Sequence, residues 1–168
     1  DVLRYQIRRG RFENFDFAAL FGQEGISSSL TGTFALEGQG TTPEDLDVEF
    51  AVDLMQGFYG TIPIADVTAR GTLDDGLLVS SVVADLEQSG YIDVTLSTRP
   101  FQEQLAITFR DGNFHNVNLA LLTGTPSLRT DLNGTVAGTL SMTERGVVVF
   151  DGRVDLTPSR INDQTITD

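Results

Sequence analysis

Leu46 to Leu54 reads LDVEFAVDL. Leu46, Val48, Phe50, Val52 and Leu54 fall on one side of an extended chain, and Asp47, Glu49 and Asp53 fall on the other. A strict period of two over nine residues is the mark of a half-buried β-strand, since successive side chains on a strand point to opposite faces. The apolar side must therefore meet a core, a partner or a ligand. Ile92, Val94 and Leu96 alternate in the same way, as do Leu105, Ile107 and Phe109, and Leu132, Val136, Leu140 and Met142. Gly76 to Leu86 and Gly146 to Leu156 are apolar on both sides for part of their length, which predicts strands covered on both faces. Asp74-Asp75-Gly76, Gln88-Ser89-Gly90, Arg110-Asp111-Gly112 and Glu144-Arg145-Gly146 stand between these runs, where Gly and Asx supply the positive φ of hairpin turns. The reading is an all-β, mainly antiparallel meander.

A second pattern runs at a longer period. Asn14 to Thr33, NFDFAALFGQEGISSSLTGT, aligns without a gap with Asn116 to Thr135, NVNLALLTGTPSLRTDLNGT. Phe12 meets Phe114, Gly22 meets Gly124, and Gly32-Thr33 meets Gly134-Thr135. The match continues to Ile64 and Asp66 against Ile166 and Asp168, giving an internal repeat of residues 12–66 and 114–168 with roughly fifteen identities. Each copy holds one short helix, Phe15 to Phe21 and Val117 to Leu122, with Asn14 or Asn116 as N-cap and Gly22 or Gly124 as stop. Strand-like sequence follows the first copy from Val67 to Asn113, whereas the second copy stops at Asp168. Residues 1–168 are accordingly read as one domain, a fragment of a longer repeat protein, extending its sheet by adding units.

The formal net charge is −13, and all eleven basic residues are Arg. Such a field repels a phosphate backbone and argues against nucleic acid. Arg4, Arg8, Arg9 and Arg11 crowd the start of the chain and are read as a solvated strand face. The Lys-free, acidic composition suits a salt-adapted source. Without Cys there is no disulfide or thiol site. One His, His115, with no GxSxG elbow offers no hydrolase triad and no zinc ligand set. Turn aspartates without the D-x-D-x-D-G loop carry no calcium signature. The expectation is a protein that is not an enzyme and uses no cofactor or metal.

The stretch LALLTGTPSLRTDLNGT, with DLTPSRIND and GTLDDGLLVSSVVADLEQSG, resembles the repeating periplasmic region of AsmA-like and TamB-like proteins. It departs from that pattern in its first copy, with Glu24 for Pro126 and Thr31 for Asn133. The resemblance implies a curved open sheet forming an apolar trough, called a β-taco; a closed β-sandwich is the alternative fold. It also implies a periplasmic protein, anchored in the inner membrane through a segment outside residues 1–168, that moves phospholipid between inner and outer membranes. Phospholipid acyl chains would be the partner, lying on Leu46, Val48, Phe50, Val52, Leu54, Ile92, Val94, Leu96, Leu105, Ile107 and Phe109. The competing expectations are a scaffold or chaperone for outer-membrane proteins and a structural or adhesive β module.

Overall fold

The computed structural model describes the chain apart from residues 1–2, 21–26, 44, 103–105, 143–147, 163 and 168. In order these are β1 (Arg4–Phe15), α1 (Phe17–Leu20), β2 (Ser28–Gln39), β3 (Asp47–Tyr59), β4 (Ile62–Ile64), β5 (Asp66–Asp74) and β6 (Leu77–Asp85). A 3-10 turn (Glu87–Ser89), β7 (Tyr91–Thr98), β8 (Ala106–Val117), α2 (Leu119–Thr123), β9 (Thr130–Met142), β10 (Val148–Leu156), β11 (Ser159–Ile161) and β12 (Gln164–Ile166) follow. All strands belong to one antiparallel sheet, ordered β1-β2-β3-β5-β6-β7-β8-β9-β11-β12, with β4 beside β3 and β10 beside β9. The sheet is open and does not close on itself. Among the described residues, every substantial contact between elements joins sheet neighbours or involves one of the short helical turns. The sandwich alternative is thereby set aside, because among the described residues no second sheet packs on the first.

The two copies fold alike, except that the single strand β3 of the first corresponds to β10 and β11 of the second, separated at Thr157-Pro158. Arg4–Phe15 and Ala106–Val117 are the same strand 102 positions apart, and Ser28–Gln39 corresponds likewise to all of Thr130–Met142 but its last residue. Their pairing registers are also the same: Ile7 faces Leu36 as Phe109 faces Gly138, and Phe12 faces Gly32 as Phe114 faces Gly134. Each hairpin has its irregularities at matching places, between Ile7 and Gly10 and between Phe109 and Gly112, then between Phe12 and Phe15 and between Phe114 and Val117. Bulges bend a strand and increase its twist, so a sheet with two in each repeating hairpin curves.

These bulges correct two sequence readings. Arg110-Asp111-Gly112 is no hairpin turn; Asp111, at φ 49°, is the extra residue of the bulge inside β8. Asn14 and Asn116 are not helix caps. They take the left-handed conformation, at φ 51° and 54°, at the second irregularity of each strand. There the amide of Asn14 donates to Thr31 Oγ1 (3.1 Å), and that of Asn116 donates to Asn133 Oδ1 (2.9 Å). The caps stand two residues later. Asp16 Oδ1 accepts from the amide of Ala19 (3.1 Å) and from the amide and hydroxyl of Ser28, and Asn118 Oδ1 accepts from the amide of Ala120 (3.1 Å). Both helices are a single turn, shorter than the expected spans; Gly124 stops the second at φ 66°, and Gly22 lies outside the described residues.

The two-sided cover expected for Gly76 to Leu86 and Gly146 to Leu156 is not found. Leu77 and Val79 of β6, and Val149 of β10, point to the outer side and are exposed. Asp75-Gly76 does form the β5–β6 hairpin, with both residues at positive φ. Glu144-Arg145-Gly146 lies outside the described residues.

Asp45 holds the β2–β3 connection. Its Oδ1 accepts from the amides of Thr41 (2.9 Å) and Thr42 (2.6 Å) and from the Thr42 hydroxyl (3.0 Å). Those donors favour the carboxylate and hold its pKa below the ordinary value, the Thr42 amide contributing most. A depressed folded pKa means the contribution is present above the unfolded value of 3.8 and lost as pH falls through the folded one. An NMR titration is expected to move the Thr41 and Thr42 amide resonances together, with a midpoint below that value, and Asp45→Asn to abolish the shift.

Candidate functional site: an uncharged apolar face

Pairing partners in an antiparallel sheet point to the same side, so the registers sort every strand residue onto one of two faces. One row reads Gly10, Phe34, Val52, Ala69, Val82, Val94, Gly112, Val136 and Val154, crossing nine strands from β1 to β10. The row beside it reads Ile7, Leu36, Phe50, Gly71, Ser80, Leu96, Phe109, Gly138 and Gly152. Two flanking rows, one from Phe12 to Leu156 and one from Tyr5 to Phe150, are built alike. None of the four contains a charged residue. The intervening rows on the opposite side hold Glu37, Glu49, Asp53, Arg70, Arg110, Asp151, Arg153 and Asp155, with Thr and Ser between them.

Val48, Phe50, Val52, Leu54, Ile92, Val94, Leu96, Ile107 and Phe109 all lie on this apolar face. Leu46 immediately precedes β3, and Leu105 lies outside the described residues. Sequence reasoning missed how far the face extends. Phe12, Phe34 and Leu36, Val67 and Ala69, and Phe150 and Val154 complete it on strands whose alternation is interrupted by glycine or by a bulge.

The glycines have a physical explanation. Phe12 pairs with Gly32, Phe34 with Gly10, Phe50 with Gly71, Phe109 with Gly138 and Phe114 with Gly134. A Cβ on Gly10 would clash with Cε1 and Cζ of the Phe34 ring, and one on Gly71 would stand 3.0 Å from Phe50 Cζ. A Cβ on Gly152 would stand 2.7 Å from Phe150 Cζ. Glycine inside a strand weakens it, but it lets a neighbouring ring lie down over bare backbone. Where no second layer interdigitates from above, that is how a large side chain buries area. The result is a face with low relief. Phe12, Phe15 and Phe17 meet edge to face at one end of it, their centroids 4.8–6.3 Å apart.

Burial deepens toward the centre. Val94 (7% exposed), Val48 and Ala84 (8%) are buried with no layer above them, whereas Ile7, Phe150 and Val154 toward the two edges are 39–49% exposed. Side chains bury one another this way on the inside of a bend. Nine strands about 4.8 Å apart span roughly 38 Å, and four rows along β3 span about 20 Å. An apolar patch of that size exceeds the few hundred Å² usual on a monomer and marks an interaction surface.

The polar side is chemically unremarkable. Its shallow depressions, such as the one between Arg4, Gln6, Glu37 and Glu49, mix both signs of charge. Arg11–Glu13, Arg70–Asp53 and Arg153–Asp155 pair there in solvent, and His115 stacks on Tyr91 with centroids 6.3 Å apart. Among the described residues, no three His, Asp or Glu side chains are grouped to hold a metal ion. Comparison of the chain with protein-family models, with curated proteins and with solved structures returns no match.

Proposed function

We propose that the chain is a segment of a periplasmic, AsmA-like or TamB-like protein whose apolar face shields phospholipid acyl chains as they pass between the inner and outer membranes. The observation that carries this reading is the uninterrupted run of uncharged residues across nine strands with no second layer above it. Exposing a methylene to water costs about 0.8 kcal/mol, so an acyl chain of about 15 methylenes faces a barrier on the order of 12 kcal/mol without cover. A continuous wall lowers that barrier at every step. Low relief matters too, because an acyl chain has no fixed shape, and a face levelled by rings on glycines offers similar contact at each position. The polar side keeps the same sheet soluble. Movement along such a wall requires no catalytic group, only that no row be interrupted by a charge. Native mass spectrometry of the protein purified from membranes is expected to find phospholipid bound; protein that never carries lipid, even after incubation with phospholipid vesicles, would contradict the reading.

A further inference from the structure

We propose that Thr98 and Arg99 anchor the glycerol of a diacyl phospholipid, the Thr98 hydroxyl donating to a fatty-acyl ester carbonyl and the Arg99 guanidinium meeting the phosphate. This rests on the lipid-carrying reading of the apolar face and names the place on that face where a lipid is held. The four apolar rows contain two Ser or Thr side chains, Ser80 and Thr98. Ser80 turns its hydroxyl to the backbone, donating to the Arg70 carbonyl (3.1 Å). Thr98 is 9% exposed, and its Oγ1 is buried with no hydrogen-bond partner. A buried hydroxyl left unpaired costs stability and calls for an acceptor.

Thr98 stands in the outermost of the four rows, between Leu78 and Ile107, on a strand paired on both sides. Both neighbours are half-exposed, and no layer lies above them, so the cover over the hydroxyl consists of side chains that an arriving lipid can part. The lipid offers what the site lacks, since an ester carbonyl accepts and a hydroxyl donates. Leu96, Val94 and Ile92 continue from Thr98 along the same side of β7. A lipid held by its ester at Thr98 therefore lays its acyl chain over the apolar rows and leaves its headgroup at their margin.

Arg99 stands at that margin, where the chain leaves β7. Its Nη1 donates to the Asp75 carbonyl (2.8 Å), which fixes the side chain beside the β5–β6 turn, in a shallow depression shared with Pro43, Gly76 and Phe101. Among the described residues no carboxylate forms an ion pair with it, and its remaining donors suit a phosphate. The ester and the phosphate of a glycerophospholipid hang from neighbouring carbons of one glycerol, and Thr98 and Arg99 are neighbours in the chain.

Native mass spectrometry of the protein titrated with diacyl phosphatidylethanolamine, and with its dialkyl ether counterpart that has no ester carbonyl, tests the anchor. The wild type is expected to hold the ester lipid roughly fivefold more tightly than the ether lipid. Thr98→Val is expected to abolish that preference while raising the Tm of the lipid-free protein, because it replaces an unpaired hydroxyl with a methyl group of the same shape. Thr98→Ser keeps the hydroxyl and is expected to keep the preference. Arg99→Gln is expected to weaken both phospholipids and to leave binding of diacylglycerol, which has no phosphate, unchanged. Equal binding of ester and ether lipid by the wild type, or a preference that survives in Thr98→Val, would overturn the anchor and leave the lipid-carrying face standing. Failure of the wild type to bind either phospholipid would overturn both.

Discussion

Val94→Asp is expected to lower stability by about 3 kcal/mol or more, which for a chain of this size is a fall of roughly 6–12 °C in Tm. Val94 sits in the central row, 7% exposed, between Val82 and the Gly112 backbone. None of the four rows described on that face holds a cation to pair with a carboxylate, so the ionised form is penalised and its pKa raised. The sign follows. The penalty is fully present above the raised pKa and shrinks as pH falls toward the ordinary carboxylate range. Thr95→Asp, one residue on and facing the polar side opposite Arg110, is expected to stay within about 0.5 kcal/mol of wild type. Thermal melts of the two variants at neutral pH and near pH 4 check both the size and the sign. Equal losses would mean that the two faces do not differ.

The second large effect belongs to Gly90, in the turn between β6 and β7. Its φ is 118°, a conformation L side chains rarely adopt. A Cβ there would stand 2.8 Å from Val117 Cα and 2.9–3.0 Å from the carbonyl oxygens of His115 and Asn116. These are backbone atoms at the end of β8, so no rotamer change relieves the clash. The same junction is knit by the amide of Leu86 donating to the Gly90 carbonyl (2.9 Å) and that of Asn118 donating to the Ser89 carbonyl (3.0 Å). Gly90→Val combines backbone strain with forced displacement and is expected to cost about 3–5 kcal/mol. Chemical denaturation measures it. Gly124→Val is the informative control, since Gly124 also has positive φ but nothing stands near its Cβ, and it should cost only the strain.

Alternation was legible wherever a strand is regular and half-buried. LDVEFAVDL reads correctly because β3 pairs without a shift from Asp47 to Leu54. The nine described residues picked from such runs share one face for the same reason. β1 was less legible, because a bulge inserts one residue and reverses the phase of everything after it. Ile7, Gly10 and Phe12 share a face that no single period of two connects. Arg110-Asp111-Gly112 misled in the same way, since Asp-Gly serves a hairpin turn and a bulge equally well. Asn14 and Asn116 were recognised as special and given the wrong role: Asn caps helices, but it also tolerates left-handed φ, and the cap fell to Asp16 and Asn118. The two-sided apolar runs of β6 and β10 suggested strands covered on both faces, whereas composition alone cannot tell a covered outer face from an exposed one.

The most direct test of the apolar face as the lipid-carrying surface places a photocrosslinking residue at Phe50 and Leu96, in its second row, and at Glu49 and Thr95, their neighbours on the polar side. Phospholipid adducts in cells at Phe50 and Leu96, with none at Glu49 and Thr95, are the predicted result. Adducts to outer-membrane proteins in place of lipid, or lipid adducts without preference between the two faces, would contradict it.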